Sequence, residues 1–181
     1  MTLVRPDGRR VRGERARQAL LEACLCVIER DGIAAVTHRK VTSEAGLPAT
    51  SAAYHFQSIN DLLEQSLLYA DAQAATALND CATAADPIRA LAEWLVSDFT
   101  DERSRVIAEF ELFLYAARVP EMRKSAGRWL NDLNALVSTW TDRPGAARTI
   151  CAYIDGLLLQ ALVSGECPDP KRLEATIRNL L

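Results

Sequence analysis

The chain has 181 residues, 49% of them hydrophobic, and a formal charge of −3. That length supports one sizeable core, or a small domain joined to a larger one. No run approaches the ~18 uninterrupted apolar residues of a membrane span, and the charged N-terminus lacks the apolar segment of a secretory signal. The five cysteines (Cys24, Cys26, Cys81, Cys151 and Cys167) are odd in number and scattered, which reads as reduced thiols in a cytoplasmic protein. Two His and no clustered ligands at metal spacing exclude a recognisable metal site.

The charge is unevenly placed. Residues 1–57 hold nine Lys and Arg against six acids, a net +3, so with −3 overall the remainder carries −6. A basic head on an acidic body is the asymmetry expected when one end meets phosphate. On charge alone, a solvated surface run accounts for it equally well.

Apolar residues recur at helical spacing almost end to end, and no alternating strand pattern emerges, so the fold class is all-α with about nine helices. Residues 1–11, with Pro6 and Gly8, read as a flexible basic arm carrying Arg9 and Arg10. A first helix spans about Arg12 to Asp31 and stops at Gly32. A second covers about His38 to Ala45, capped by Thr37 and ended by Gly46. Pro48 suits the first turn of a third helix running to about His55. Ser58 caps a fourth helix from Ile59 to about Cys81. A fifth runs from Pro87 to about Phe99 and a sixth from about Arg103 to Arg118. A seventh covers about Glu121 to Thr141, an eighth Ala146 to Ser164, and a ninth Pro170 to Leu181. Two short helices around a tight glycine turn, framed by longer ones, describe a helix-turn-helix. The domains expected are an arm at 1–11, a helix-turn-helix domain at 12–68 and a helical body at 69–181.

The stretch from Gly32 to Phe56, with Thr37, Ala45-Gly46-Leu47 and Tyr54-His55-Phe56 at fixed spacing, resembles the signature of the TetR family of transcriptional regulators. Ser58 to Leu63 resembles the start of that family's fourth helix. The motif covers about one third of the chain; the rest matches in helix number and length. The resemblance implies a homodimeric repressor in the bacterial cytoplasm. It would bind a palindromic operator in double-stranded DNA and be released by a small apolar or amphipathic effector in the C-terminal domain.

The resemblance also assigns residues. It places the third helix in the major groove, where Pro48, Ala49, Thr50 and Ser51 present small side chains. Ser and Thr bond to any base type and methyl groups meet thymine, but none makes the bidentate guanine contact of Arg. Sequence readout should therefore lean on DNA shape. Thr37, Arg39, Tyr54 and His55 match phosphate-contacting positions, with Lys40 and Arg12 as further basic contacts. Ile59 departs from the family, in which many members carry a phosphate-binding Lys at this position.

All three Trp lie after residue 90. Large aromatics among helices line either an apolar pocket or ordinary core. The resemblance favours a pocket among helices five to eight, lined by Trp94, Phe99, Phe110, Phe113, Leu114, Ala117, Trp129 and Leu133. Glu109, Arg118 and Asn134 are candidate polar handles. Helix eight carries Ile150, Ile154, Leu157, Leu158, Ala161 and Leu162, and helix nine Leu173, Ile177 and Leu180, all recurring at three and four. In the family these helices pair with their mates across a dimer interface; a body of this size can equally bury them internally.

Two other classes compete. An enzyme needs a nucleophile, base and orienter within reach, or a metal. Both His lie in the head and no Gly-rich phosphate loop exists, so neither an enzyme nor a cofactor is expected. A helical adaptor that binds only protein is the alternative left standing.

Overall fold

The computed structural model describes residues 8–181, and among them every regular element is helical. α1 (Gly8–Asp31) leads through a 3-10 turn (Ile33–Ala35) to α2 (His38–Glu44), α3 (Ser51–His55) and α4 (Ile59–Thr83). Then come α5 (Pro87–Asp101), α6 (Arg103–Arg118), a second 3-10 turn (Pro120–Met122), α7 (Arg123–Ser138), α8 (Ala146–Ser164) and α9 (Pro170–Leu180). Residues 1–7 of the expected arm lie outside the described residues, as does the side chain of Arg9. Residues 8–11, also assigned to that arm, are the first turn of α1.

Local chemistry accounts for the helix ends. Gly32, at φ 80°, leaves the helical region while its N–H still donates to the Ile28 carbonyl at 2.8 Å. The Thr37 hydroxyl accepts from the Lys40 N–H at 3.1 Å and so starts α2. Gly46, at φ 63°, reverses the chain, and the Leu47 N–H closes onto the Thr42 carbonyl at 2.9 Å. Ser58 accepts from the Asp61 N–H while Asp61 accepts from the Gln57 N–H, a reciprocal cap for α4.

Several expected bounds shift by a few residues, among them those of α3 and α7. α3 begins at Ser51 because Pro48, Ala49 and Thr50 form a separate turn, closed by the Ser51 N–H on the Pro48 carbonyl at 2.8 Å. α7 ends at Ser138 because Thr139 and Trp140 donate to carbonyls three residues back, which tightens the last turn.

The apolar faces build two cores that meet along α4 and α6. The first joins Leu20, Val27 and Ile28 of α1 to Val41, Ala52, Phe56, Leu63 and Leu67, and takes in Ala108, Leu112 and Ala116 of α6. The second gathers Leu91, Leu95 and Phe99 of α5 with Val106, Leu133, Ile150, Ile154, Leu173 and Ile177. The expected boundary at residue 68 thus falls inside one unbroken helix, and the change of core occurs between Ala70 and Leu78. Burying each large aliphatic side chain contributes about 1.5–3 kcal/mol. Head and body share that gain through α6, so neither packs independently of the other.

Candidate functional site

The head presents a solvent face built from α2 and α3. Thr37, Arg39, Lys40, Pro48, Ala49 and Thr50 are exposed, and Ser51 and His55 are half-buried. Tyr54 is 83% exposed. An aromatic side chain left that open contributes little to packing. It stands edge-on to the His55 ring, with centroids 5.0 Å apart. Phe56, next in sequence, is buried, with the Arg17 guanidinium 5.6 Å from its ring centre. The two aromatics thus have opposite duties: Phe56 anchors α3 while Tyr54 faces outward.

The cations of this face differ. Lys40 is held to Asp31 at 3.2 Å, whereas Arg39 makes no ion pair among the described residues. Arg12 and Arg10 lie exposed on the first turns of α1. Ile59 is half-buried against the head core. The Nε2 of His38 is buried with no hydrogen-bond partner among the described residues.

In the body, a cleft of about 440 Å³ opens between α1, α4, α5 and α6, bounded by Glu22, Cys26, Tyr69, Trp94, Asp98 and Arg105. Beside it lies a smaller chamber of about 30 Å³. Trp94 and Trp129 meet there with ring centres 6.0 Å apart, and Phe110 and Phe113 stand edge-to-face at 6.5 Å. Arg105 donates to Glu109 at 2.7 Å and also pairs with Asp98. Burial pushes the Glu109 carboxyl up to about 7, against the pull of Arg105 and with the help of Asp98. Burial also raises Asp98, and it raises Asp155, which a hydrogen bond from Trp129 partly offsets. Asp71, on the adjoining stretch of α4, is held up at about 6 by burial, with Asp132 adding and Arg128 opposing.

The expected lining residues divide. Trp94, Phe110, Phe113, Trp129 and Glu109 surround the chamber. Phe99 and Leu133 are buried in the second core instead. Leu114, 68% exposed, together with Ala117 and Arg118, faces solvent, because α6 turns its other sides to the chamber and to α1. Asn134 borders a shallow hollow between α7 and α8. Asp98, Arg105 and Asp155 join this site without having been singled out as candidates above. Their signal was present: Asp98 sits beside Leu95 and Phe99, and Arg105 and Glu109 are spaced i, i+4 among apolar residues, charges on the buried side of amphipathic helices.

The residues expected at a dimer face lie mostly against the protomer's own core. Ile150, Ile154, Leu158, Ala161, Leu173 and Ile177 are buried within the protomer, and Leu157, Leu162 and Leu180 are half-buried against the same core. Spacing at three and four marks an apolar face but not what covers it, and here the protomer's own α5 and α7 do. The outward side of α8 carries Ala152, Gly156, Leu159 and Val163, with Leu159 47% and Val163 84% exposed.

Hydrogen bonds from α6 and α7 tie this body to the head. The Glu111 carboxylate accepts from the Ile33 N–H at 2.6 Å, directly after Gly32. Tyr115 donates to Asn60 at 2.8 Å, and Ser125 to Glu64 at 2.6 Å. Glu111 and Tyr115 are one helical turn apart, so one side of α6 holds the head while Glu109, Phe110 and Phe113 border the chamber.

Two short helices around a glycine turn, carried by a long helix onto an α-helical body, define a helix-turn-helix regulator fold. Residues 82–181 match the family described as Tetracyclin repressor-like, C-terminal domain. A TetR-family member from Streptomyces coelicolor A3 is similar at 32% identity, over 92% of this chain and 98% of that one, with a TM-score of 0.81. The multidrug binding protein EbrR, complexed with ethidium, is similar at 32% identity over 92% and 98%, with a TM-score of 0.76. A transcriptional regulator from Streptomyces coelicolor A3(2) is 28% identical over 92% and 98%, at 0.75. No curated protein matches the chain. The chain belongs to the TetR family of transcriptional regulators.

Proposed function

We propose that the chain is a homodimeric repressor that binds a palindromic DNA operator through α2 and α3 and lets go when a small amphipathic molecule enters the body. The observation that carries this is Tyr54: an aromatic residue 83% exposed on the outward face of a helix-turn-helix, a face that also presents the exposed Arg39. Arg39, Tyr54, His55 and Thr37 hold phosphates, with Lys40 and Arg12 adding charge. Ala49, Thr50 and Ser51 approach base edges, and Pro48 shapes the turn before them. Phosphate contacts position the head, and the small residues read sequence weakly, so operator shape and half-site spacing supply much of the specificity.

Dimerisation falls to the outward side of α8, where Ala152, Gly156, Leu159 and Val163 form a low apolar stripe, with α9 alongside. Two-fold symmetry then matches two half-sites about one DNA turn, ~10 base pairs, apart or a little more. Ligand response is supported by the aromatic chamber and by the ethidium complex of EbrR. Release requires a ligand that favours the DNA-free form. α4 runs through both cores, and α6 borders the chamber and hydrogen bonds to the head through Glu111, so both transmit the change.

The test is binding to labelled duplex DNA by the wild type and Tyr54→Ala. With so exposed a side chain, the variant should unfold within ~0.5 kcal/mol of wild type yet bind DNA about tenfold or more weaker. Equal binding by the two proteins would sink the assignment of this face.

A further inference from the structure

The cleft and the chamber share the wall formed by Ala74, Trp94, Asp98 and Arg105, so Arg105 stands between them. The chamber beyond has room for about one water molecule. The cleft in front would hold a tricyclic ring system. Arg105 is only 13% exposed, and its partners Asp98 and Glu109 are nearly as enclosed. We propose that this site takes flat aromatic organic cations, and that Arg105 is a resident cation which fills the cationic subsite until the ligand displaces it. The inference rests on the ligand-responsive reading above and adds the ligand's chemical class and the group it replaces.

The sign of the lining favours a cation. Asp98, Glu109 and Asp155 face the chamber, and Glu22 and Glu102 border the cleft, against Arg105 as the basic residue of either wall. An anionic ligand would meet this excess of carboxylates at close range, where water screens poorly. Arg105 does not satisfy them: burial still holds Glu109, Asp98 and Asp155 above the usual carboxylate range. A site short of positive charge while its own guanidinium is in place has capacity for more.

The shape of the lining favours a flat aromatic one. Trp94, Trp129, Phe110 and Phe113 offer ring faces and edges, and indole faces attract cations. A neutral aromatic molecule would use these walls but would leave the carboxylates as they are. At about 30 Å³ the chamber admits a ring only if the shared wall at Arg105 moves. Arg105 lies in the first turn of α6, and a swing toward the cleft would carry its guanidinium toward Glu102, freeing Asp98 and Glu109 for the incoming cation. Displacement exchanges one cation for another, so the two carboxylates need not be stranded without a partner, a state that would be strongly unfavourable.

The experiment is a fluorescence titration of the full chain with 9-aminoacridine, a tricyclic cation, and with acridine, its neutral counterpart, at pH 8. The cation should bind at least about tenfold tighter, the equivalent of ~1.4 kcal/mol. Glu109→Gln should weaken the cation about tenfold and change the neutral ring by less than about twofold. Arg105→Met should bind the cation several-fold tighter than wild type, because no resident charge competes, while Arg105→Lys stays close to wild type. Circular dichroism shows whether Arg105→Met folds; if it does not, the comparison of the two ligands on wild type and Glu109→Gln decides. Equal binding of both rings overturns the cationic class while leaving a ligand site in place. A folded Arg105→Met that binds the cation no tighter overturns the resident-cation role. Binding of neither ring overturns this inference and removes the chamber as the effector site.

Discussion

Glu111→Ala tests the link between chamber and head. The Glu111 carboxylate accepts the Ile33 N–H at 2.6 Å across 78 residues of sequence, and both groups are half-buried. A hydrogen bond to a charged group contributes about 1.5–3 kcal/mol when well shielded, and half-exposure reduces this to about 1–2 kcal/mol. For a chain of this size each kcal/mol moves Tm by roughly 2–4 °C, so Glu111→Ala should melt roughly 2–8 °C lower. Glu111→Gln keeps an acceptor oxygen and should lose about half as much. The functional expectation is separate. If α6 carries the ligand signal, losing about 1–2 kcal/mol of coupling should cut the factor by which saturating ligand weakens DNA binding by about fivefold or more. Anisotropy of a labelled duplex, with and without ligand, reads that factor directly. A variant that melts lower but keeps the wild-type factor would refute α6 as the transmitter and leave α4 alone in that role.

Other consequences follow from the same geometry. Arg39→Ala should weaken binding to all DNA sequences alike and lower the salt slope by about one unit; a change confined to base preference would contradict the phosphate assignment. Glu109, held at about 7 from an ordinary 4.5, binds its proton more tightly folded than unfolded, so folding stability should fall as pH rises through the window from about 4.5 to 7. The penalty is absent below that window and complete above it, at most about 3 kcal/mol. Thermal melts of wild type and Glu109→Gln across this range should diverge, with the variant showing the flatter profile; parallel profiles would refute the assignment. Val163→Glu, on the outward side of α8, should yield a folded monomer by sedimentation, and a persistent dimer would move the interface elsewhere.

What the sequence disclosed depended on whether the signal was local. α6 and α8 start and stop where Pro120, Gly145 and Gly165 dictate, and both helices match their expected bounds. The turn at Gly46 and the cap at Thr37 were equally legible, because each rests on bonds within a few residues. α3 lost its first residues because a proline is compatible with either a helix start or a turn. The burial of Ile154 and Ile177 against the protomer's own core was not legible, since an apolar stripe looks the same to a partner as to a neighbouring helix. The Arg105–Glu109 spacing within α6 was legible, but its pairing with Asp98 was not, because only tertiary packing brings α5 against α6. That Ala108, Leu112 and Ala116 complete the head's core was not legible either, because they lie about forty residues beyond the helix-turn-helix in sequence.

Selection from a pool of random duplex DNA by the purified chain, followed by sequencing of the bound fragments, tests the central claim most directly. The account predicts an enriched inverted repeat with half-sites spaced about one helical turn or a little more, bound by two protomers and weakened steeply by salt. Recovery of no enriched sequence, or of a site without two-fold symmetry, would contradict it.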